Sequence, residues 1–486
     1  MSLPMYDFRP VGHVMGRLII VLGGSMILPL LLDLLDRNGN VAGMVLAAFL
    51  TMAAGLALAM STRQGEFGGL TRPQAFLLTV LVWLVLPVFG ALPFSFGAPG
   101  AAYVDAYFEA MSGLTTTGAT VFTGLDEMPR GMLLWRALLQ WFGGLGIVIV
   151  AIVFLPMMRI GGMQFFRSES FDLSGDVMPR ATEIAASLFY VYLAISIGCV
   201  LAYSAAGMTG FDALAHAMTT VSTGGFGTYD SGFENFSASA HYVGILFMWL
   251  GALPFIRFVQ LARGNTRGIL HDSQIRAFLT LVLAVSAVMV VWLVAHDHHP
   301  FADAVREALF NVTSTMTGTG YASDPYDQWG ALPVALFFVI PLIGGCTGST
   351  SCSAKVFRYQ VLSAALLVQI RRIHSPHGVF PLRYQGRPVE PEVVSSIMGY
   401  FFVFVCCLSI WSILLSLLGL DTITAISASV ASLGNVGPGL GPVVGPSGNY
   451  ASLPDTAKWL LSLGMLLGRL EFLSVLVLFM PVFWQR

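Results

Sequence analysis

The stretch Met111-Ser-Gly-Leu-Thr-Thr-Thr-Gly-Ala-Thr120 decides how this chain is read. It is short, polar and glycine-bearing, and it lies between a brief helix predicted over Tyr103 to Ala110 and a long apolar helix. Three further stretches repeat it: Met218-Thr-Thr-Val-Ser-Thr-Gly-Gly-Phe-Gly227, Asn311-Val-Thr-Ser-Thr-Met-Thr-Gly-Thr-Gly-Tyr321 and Ser429-Val-Ala-Ser-Leu-Gly-Asn-Val-Gly-Pro-Gly439. One register fits all four. An apolar residue (Leu114, Val221, Met316, Leu433) is followed by three small or polar residues and then a glycine: Gly118, Gly225, Gly320 or Gly437. Some 25 to 27 residues past these glycines, a glycine notches an apolar run at Gly144, Gly251, Gly345 and Gly464. Thr- and Gly-rich turns are common singly. Four in one register mark an internal repeat.

Composition sets the environment. Of 486 residues, 56% are hydrophobic and 10% charged, and mean hydropathy is +0.77. Apolar runs of spanning length recur along the whole chain, which identifies a polytopic helical membrane protein. The five cysteines sit in or beside apolar runs without metal-ligand spacing. The first apolar run has no small-residue cleavage site after it, so a retained helix is expected.

The expected fold is all-α. Residues 1–70 supply two leading spans, Val14 to Leu35 and Val41 to Met60. Four repeats follow at 71–160, 181–265, 274–375 and 392–486, each with a helix, a half-spanning pore helix, a filter loop and a second helix around a central pore. The first helices are expected at Gln74 to Phe94, Thr182 to Ala205, Ile275 to Ala295 and Val393 to Leu418. The remaining pore helices are expected at Phe211 to Val221, Phe301 to Met316 and Thr422 to Leu433. The second helices are expected at Gly131 to Met157, His241 to Leu261, Leu332 to Ile370 and Lys458 to Phe483. That makes ten spans and four re-entrant segments. Arginines crowd the inter-repeat linkers (Arg159, Arg167, Arg180; Arg257, Arg263, Arg267, Arg276; Arg371, Arg372, Arg383, Arg387), and Arg9, Arg63, Arg72 and Arg486 fall on the same side. The opposite loops carry Asp126, Glu127, Asp230, Glu234, Asp324 and Asp327. The positive-inside rule then makes the linkers cytoplasmic and the polar loops outward-facing.

Irregular backbone at membrane depth survives only where it is buried or lines a watery cavity. A half-helix aimed inward presents its negative C-terminal end, so four around one axis favour a cation, with loop carbonyls replacing its hydration shell. Glycine opens the backbone conformations this requires. No carboxylate ring lines the loops, which points to a large, weakly hydrated monovalent ion. Asp105, Asp212, Asp303 and Asp421 stand at the starts of the pore helices, where they suit the helix dipole. His216, in the second pore helix, is expected to pack or cap.

The third repeat's second helix is interrupted by Gly344-Gly-Cys-Thr-Gly-Ser-Thr-Ser-Cys-Ser-Ala-Lys355, whose three glycines and five hydroxyl residues disfavour helix. It is the one interruption the sequence announces. Arg469 lies mid-span, where a charge faces the protein interior and is functional by default. It is placed to bond free carbonyls of the broken segment and to set positive charge in the ion path. Lys355 either joins that barrier or snorkels to the interface. Glu471, two residues from Arg469 on the helix, is a poor partner for it.

The stretches 111–120, 220–226 (Thr-Val-Ser-Thr-Gly-Gly-Phe), 435–441 (Asn-Val-Gly-Pro-Gly-Leu-Gly) and 344–350 (Gly-Gly-Cys-Thr-Gly-Ser-Thr) resemble the Trk/Ktr/HKT superfamily of potassium transporters over essentially the full length. Within it the chain looks most like the TrkH-type membrane subunit of the bacterial Trk system, whose two leading helices it shares. The resemblance implies potassium uptake across the bacterial inner membrane, with K+ as transported ion and no organic cofactor. The filter would be Thr116, Thr117, Gly118; Thr223, Gly224, Gly225; Gly318, Thr319, Gly320; and Asn435, Val436, Gly437. The gate would be Gly344, Gly345, Thr347, Gly348, Ser349, Thr350, Lys355 and Arg469. It further implies a homodimer in membrane lipid, a cytosolic TrkA-like nucleotide-binding ring on the inner face, and no nucleic-acid partner. Other classes stay open: a sodium- or ammonium-permeable pore, a cation symporter of the same architecture, or an intramembrane enzyme. The last would need paired aspartates or a Ser-His pair at membrane depth, and the spans offer neither.

Overall fold

The computed structural model describes residues 7–64, 70–154, 161–166, 177–296 and 300–485. Arg159, Arg167, Arg486 and the last residues of the span expected to end at Met157 lie outside them. The first span runs from Arg9 to Asp36, starting earlier than the sequence suggests. It has an irregular turn at Met26, where Pro29 has no N–H for the Ser25 carbonyl. Its partner Val41–Ser61 returns antiparallel and close. A methyl built on Gly16 would stand 2.6 Å from the Ala59 backbone nitrogen, and one on Gly55 2.8 Å from that of Ile20. Small residues let spanning helices approach this way. Buried Asp33 accepts from Asn38, Asn40 and the Gly131 N–H, tying this hairpin to the first repeat.

Four repeated units follow. Their first helices are Arg72–Gly90, Val177–Ala205, Ser273–His296 and Pro391–Leu417. Their pore helices are Tyr103–Leu114, Gly210–Val221, Phe301–Thr317 and Thr422–Gly434. The pore helices start as their acids require. Asp421 is itself an N-cap, accepting from the Thr424 N–H, and Thr209 caps the second helix. Asp105 and Asp303 sit in first turns, paired with Lys458 and Arg306. His216 is buried, its Nδ1 3.0 Å from the Asp212 carbonyl oxygen, and its ring packs edge-on against Phe233 and Phe236.

The second helices depart from expectation. Only Arg130–Ile149 continues without a sharp break, passing into a wider turn at Val150–Phe154. In the second unit Ala238–Ala252 bends 92° into Phe255–Ala262, because Pro254 lacks the N–H that would continue the helix. In the fourth, Asp455–Arg469 bends 105° into Phe472–Phe479, with Glu471 in the left-handed region (φ 59°) at the corner. In the third, Ala331–Val339 and Ile340–Leu342 stop at the irregular segment Gly344–Lys355, and Val356–His374 leaves it. Interruption is therefore the rule for second helices, and the third repeat is not the exception. Among the described residues seven helices are long and apolar enough to span alone, nine with the two bent pairs counted. The tenth expected span is the interrupted one.

Each pore helix packs on the second helix of the repeat before it, and the first pore helix packs on Asp455–Arg469 of the fourth, so the units close into a ring. A two-stranded antiparallel hairpin, Arg383–Tyr384 with Arg387–Pro388, lies between repeats three and four.

Candidate ion pathway

All four pore helices end alike. The N–H of Thr116, Thr223, Gly318 and Asn435 bonds the carbonyl three residues back (Gly113, Thr220, Thr315, Ser432). The next N–H, of Thr117, Gly224, Thr319 and Val436, bonds the carbonyl five back (Ser112, Thr219, Ser314, Ala431). This is the Schellman termination, which needs a left-handed residue. Thr116, Thr223, Gly318 and Asn435 supply it at φ 51°, 51°, 79° and 52°. Two residues on, Gly118, Gly225, Gly320 and Gly437 are left-handed again, at φ 85°, 81°, 83° and 92°. For a β-branched threonine that conformation is strained, so the surroundings hold Thr116 and Thr223 in place.

Close approach makes a ring of the four loops. A methyl on Gly118 would lie 2.3 Å from the Gly224 carbonyl oxygen, and one on Gly225 1.8 Å from that of Thr319. One on Gly320 would lie 2.1 Å from Val436 oxygen, and one on Gly437 2.7 Å from Thr117 oxygen. The Gly118 methyl would also reach within 3.4 Å of the Thr319 oxygen on the opposite loop, so the opening is narrow. Among the described residues, no N–H or O–H donates to the carbonyls of Thr117, Gly118, Gly225, Thr319, Gly320 or Val436. Buried carbonyls normally have partners. Two members of the ring do have them: Gly224 accepts from Gln140 and Gly437 from the Tyr450 hydroxyl, at 2.6 and 2.8 Å. A vestibule of about 320 Å³ opens on the acidic-loop side, lined by Gly118, Gly225, Gly320 and Gly437 together with Asp230 and Arg136.

The interrupted segment lies against the other side of this ring. A methyl on Gly318 would stand 3.9 Å from the Cys352 backbone nitrogen, and Thr223 Oγ1 donates to Thr350 Oγ1 at 3.3 Å. The segment is buried, with left-handed turns at Gly344, Gly348, Ser353 and Lys355. Side chains and neighbouring helices hold it: Gly345 N–H to Ser351 Oγ, Thr347 N–H to Gln274 Oε1, Ser349 Oγ to the Cys346 carbonyl, and Thr350 N–H to the Gly251 carbonyl. Arg469 reaches it as its position suggests. Its Nη1 donates to the Thr350 carbonyl at 3.3 Å and to Cys352 Sγ, and its Nη2 donates to the Gly143 carbonyl at 2.9 Å.

Lys355 does not snorkel. It is buried, its Nζ 3.7 Å from Glu471 Oε1. Glu471 leaves Arg469 alone and instead pairs with Arg358 of the helix that follows the segment. Arg358, which the sequence reading passed over, also donates to the carbonyls of Gly161 and Ala354 and lies 3.8 Å over the Tyr400 ring. A second buried pair, Glu109 with Arg136 at 2.8 Å, was also missed. Glu109 accepts from the Val121 N–H after loop one, and Arg136 donates to the Gly227 carbonyl after loop two. Not all of the notch glycines meet a pore-helix end. The glycines that abut pore-helix ends are Gly143, Gly251 and Gly468, where a methyl would lie 1.9, 2.9 and 2.2 Å from the carbonyl oxygens of Leu114, Val221 and Leu433. Gly144 and Gly464 face Ser222 and Ser432 instead. In the fourth unit the seated glycine comes later in the chain, where the outer turns between Gly441 and Asn449 lengthen the connection.

Residues 43–486 match the family described as TrkH, Cation transport protein. A Halomonas elongata protein named Trk system potassium uptake protein TrkI is 39% identical over 99% of this chain and 97% of its own length. The Escherichia coli K12 Trk system potassium uptake protein TrkH is 34% identical over 99% of this chain and all of its own. The crystal structure of the potassium transporter TrkH from Vibrio parahaemolyticus superposes with a TM-score of 0.90 at 33% identity, covering 99% of this chain and 100% of that one. With the ring of four loops and near-complete coverage in agreement, the chain belongs to the TrkH family of cation transport proteins.

Proposed function

We propose that this chain carries potassium across a bacterial inner membrane, through the ring formed by Thr116–Gly118, Thr223–Gly225, Gly318–Gly320 and Asn435–Gly437. The observation that carries the reading is the set of unpaired carbonyls where four half-helix C-termini converge. Such oxygens can take over an ion's hydration shell, and the helix ends favour positive charge. The relatives' names, Trk system potassium uptake proteins, agree on the ion. The segment Gly344–Lys355 with Arg469 acts as the gate beneath the ring. The placement of Arg257, Arg263, Arg371, Arg372 and Arg383 in the linkers turns the vestibule outward. The working unit is a homodimer, each protomer with its own pore, regulated by a TrkA-like nucleotide-binding ring on the basic face.

The test is flux through the purified protein in liposomes, comparing potassium, rubidium, sodium and ammonium. Potassium and rubidium are expected to pass well ahead of sodium. Sodium or ammonium flux equal to potassium's overturns the assignment of the ion.

A further inference from the structure

The four loops are not equivalent, and at the level of the Thr117, Gly224, Thr319 and Val436 carbonyls the difference traces to one side chain. Gln140 is fully buried on the first repeat's second helix, facing loop two. Its Nε2 donates to the Gly224 carbonyl at 2.6 Å, and its Oε1 accepts from the Phe226 N–H at 3.0 Å. The amide thus brackets Gly225 as a neighbouring backbone strand would. It also explains the extra glycine of loop two. A methyl on Gly224 would lie 2.3 to 2.8 Å from the three heavy atoms of the Gln140 amide, so no side chain fits there. The corresponding residues of the other loops, Thr117, Thr319 and Val436, all carry side chains, and among the described residues none of their carbonyls receives a donor.

Helix register shows that repeats two and four carry no amide at the matching position. Gln140 stands three residues before Gly143, the glycine seated on a pore-helix end. Three residues before the matching Gly251 and Gly468 stand Met248 and Met465, both buried. Neither thioether can donate a hydrogen bond.

We propose that Gln140 is a specificity-determining residue: it occupies one lone pair of the Gly224 carbonyl and fixes its position, so that the level formed by Thr117, Gly224, Thr319 and Val436 has three free carbonyls plus one tethered. A tethered carbonyl cannot follow a smaller ion inward, and this disfavours sodium. The proposal rests on the reading of the four loops as the ion path.

The test uses the full-length protein in liposomes, reading the potassium-to-sodium flux ratio and the maximal potassium flux. Gln140→Met installs the side chain of repeats two and four. It should lower the ratio about five-fold, what one lost hydrogen bond is worth, with maximal potassium flux retained. Gln140→Glu keeps the acceptor for Phe226 and can donate to Gly224 only when protonated. Its ratio should be low at alkaline pH and climb toward the parent's as pH falls, while the parent's stays flat. If Gln140→Met does not fold, Gln140→Glu, of the same shape, decides. A parent-like ratio at every pH, or equal loss of both fluxes, overturns the proposal. Gly118→Ser is run beside them. If it changes the ratio while the Gln140 variants do not, only this inference fails; if none changes it, the reading of the loops as ion path fails first.

Discussion

Arg469 donates to the carbonyl of Thr350 across 3.3 Å, joining the end of the fourth repeat's second helix to the middle of the third repeat's interrupted segment. The same guanidinium holds Gly143 of the first repeat. A planar fork of donors suits this bridging role, and its charge stands below the carbonyl ring. Deleting Thr347 to Ser353 should therefore raise basal potassium flux and free it from the partner. Arg469→Ala should do so more weakly, about ten-fold, in line with the loss of a charged hydrogen bond. Selectivity should be retained in both. A folded, membrane-inserted deletion protein with the parent's basal flux would show that this segment is not the gate.

The four loop glycines should differ in tolerance. Their contacts grade from 1.8 Å at Gly225 through 2.1 Å at Gly320 and 2.3 Å at Gly118 to 2.7 Å at Gly437. All four are left-handed, so a side chain is strained at each. Serine substitutions should impair potassium uptake or sodium exclusion in that order, worst at Gly225. Uptake kinetics and sodium exclusion across the four single variants check the ranking, and parent behaviour in all of them removes the loops from the ion path.

How much of this was legible in advance depends on distance along the chain. The glycine register was plain because each loop is local. The left-handed residue two positions earlier was half visible: Gly318 and Asn435 favour that conformation, but Thr116 and Thr223 do not, and only the packed ring imposes it. Pro254 stood in view at the second repeat's bend, whereas nothing near Glu471 signals the corner in the fourth, because the cations that hold it lie more than a hundred residues away. Gln140 and Arg136 were illegible for the same reason: each acts on a loop of the next repeat.

Glu471 should be a sensitive residue for stability. It is buried at the corner of the fourth repeat with Lys355 and Arg358 against it. Glu471→Ala leaves two buried cations without their anion, and breaking such a pair costs about 3–5 kcal/mol. A melting temperature within error of the parent's, measured in detergent, would contradict this. Adding Lys355→Met to the variant should recover part of the loss.

Asp327, in the short 3-10 turn Tyr326–Gln328 after the third loop, gives a pH signature. Burial pushes its carboxyl above the ordinary range, opposed by backbone hydrogen bonds from its own amide and Gly441, and among the described residues its Oδ1 has no hydrogen-bond partner. A raised acid destabilises the fold once ionised: stability is complete below the ordinary carboxylate range and declines as pH rises through the raised value. Asp327→Asn should melt above the parent at neutral pH, with the gap closing as the pH falls through that window. A gap that widens on acidification has the wrong sign.

Arg371 and Arg372 close the helix Val356–His374, and Arg383 and Arg387 belong to the hairpin beside it. Replacing all four with glutamine should slow association with the cytosolic partner and flatten its salt dependence, since rim charges mainly steer encounter. Unaltered capture of the partner at every ionic strength would place the docking face elsewhere.

The closure of loop four on loop one has a consequence for biosynthesis. Gly437 seats against the Thr117 carbonyl, and Asn435 Nδ2 donates to Thr117 Oγ1, so the earliest loop made is completed by one of the last. Until the fourth repeat leaves the translocon, the first loop's polar backbone has one side without its neighbour in a solvent that cannot satisfy it. A chain stalled after the third repeat carries an open-sided ring into the bilayer. Truncation near the C-terminus should therefore mark the whole product for membrane proteolysis, rather than leave a smaller, leakier transporter.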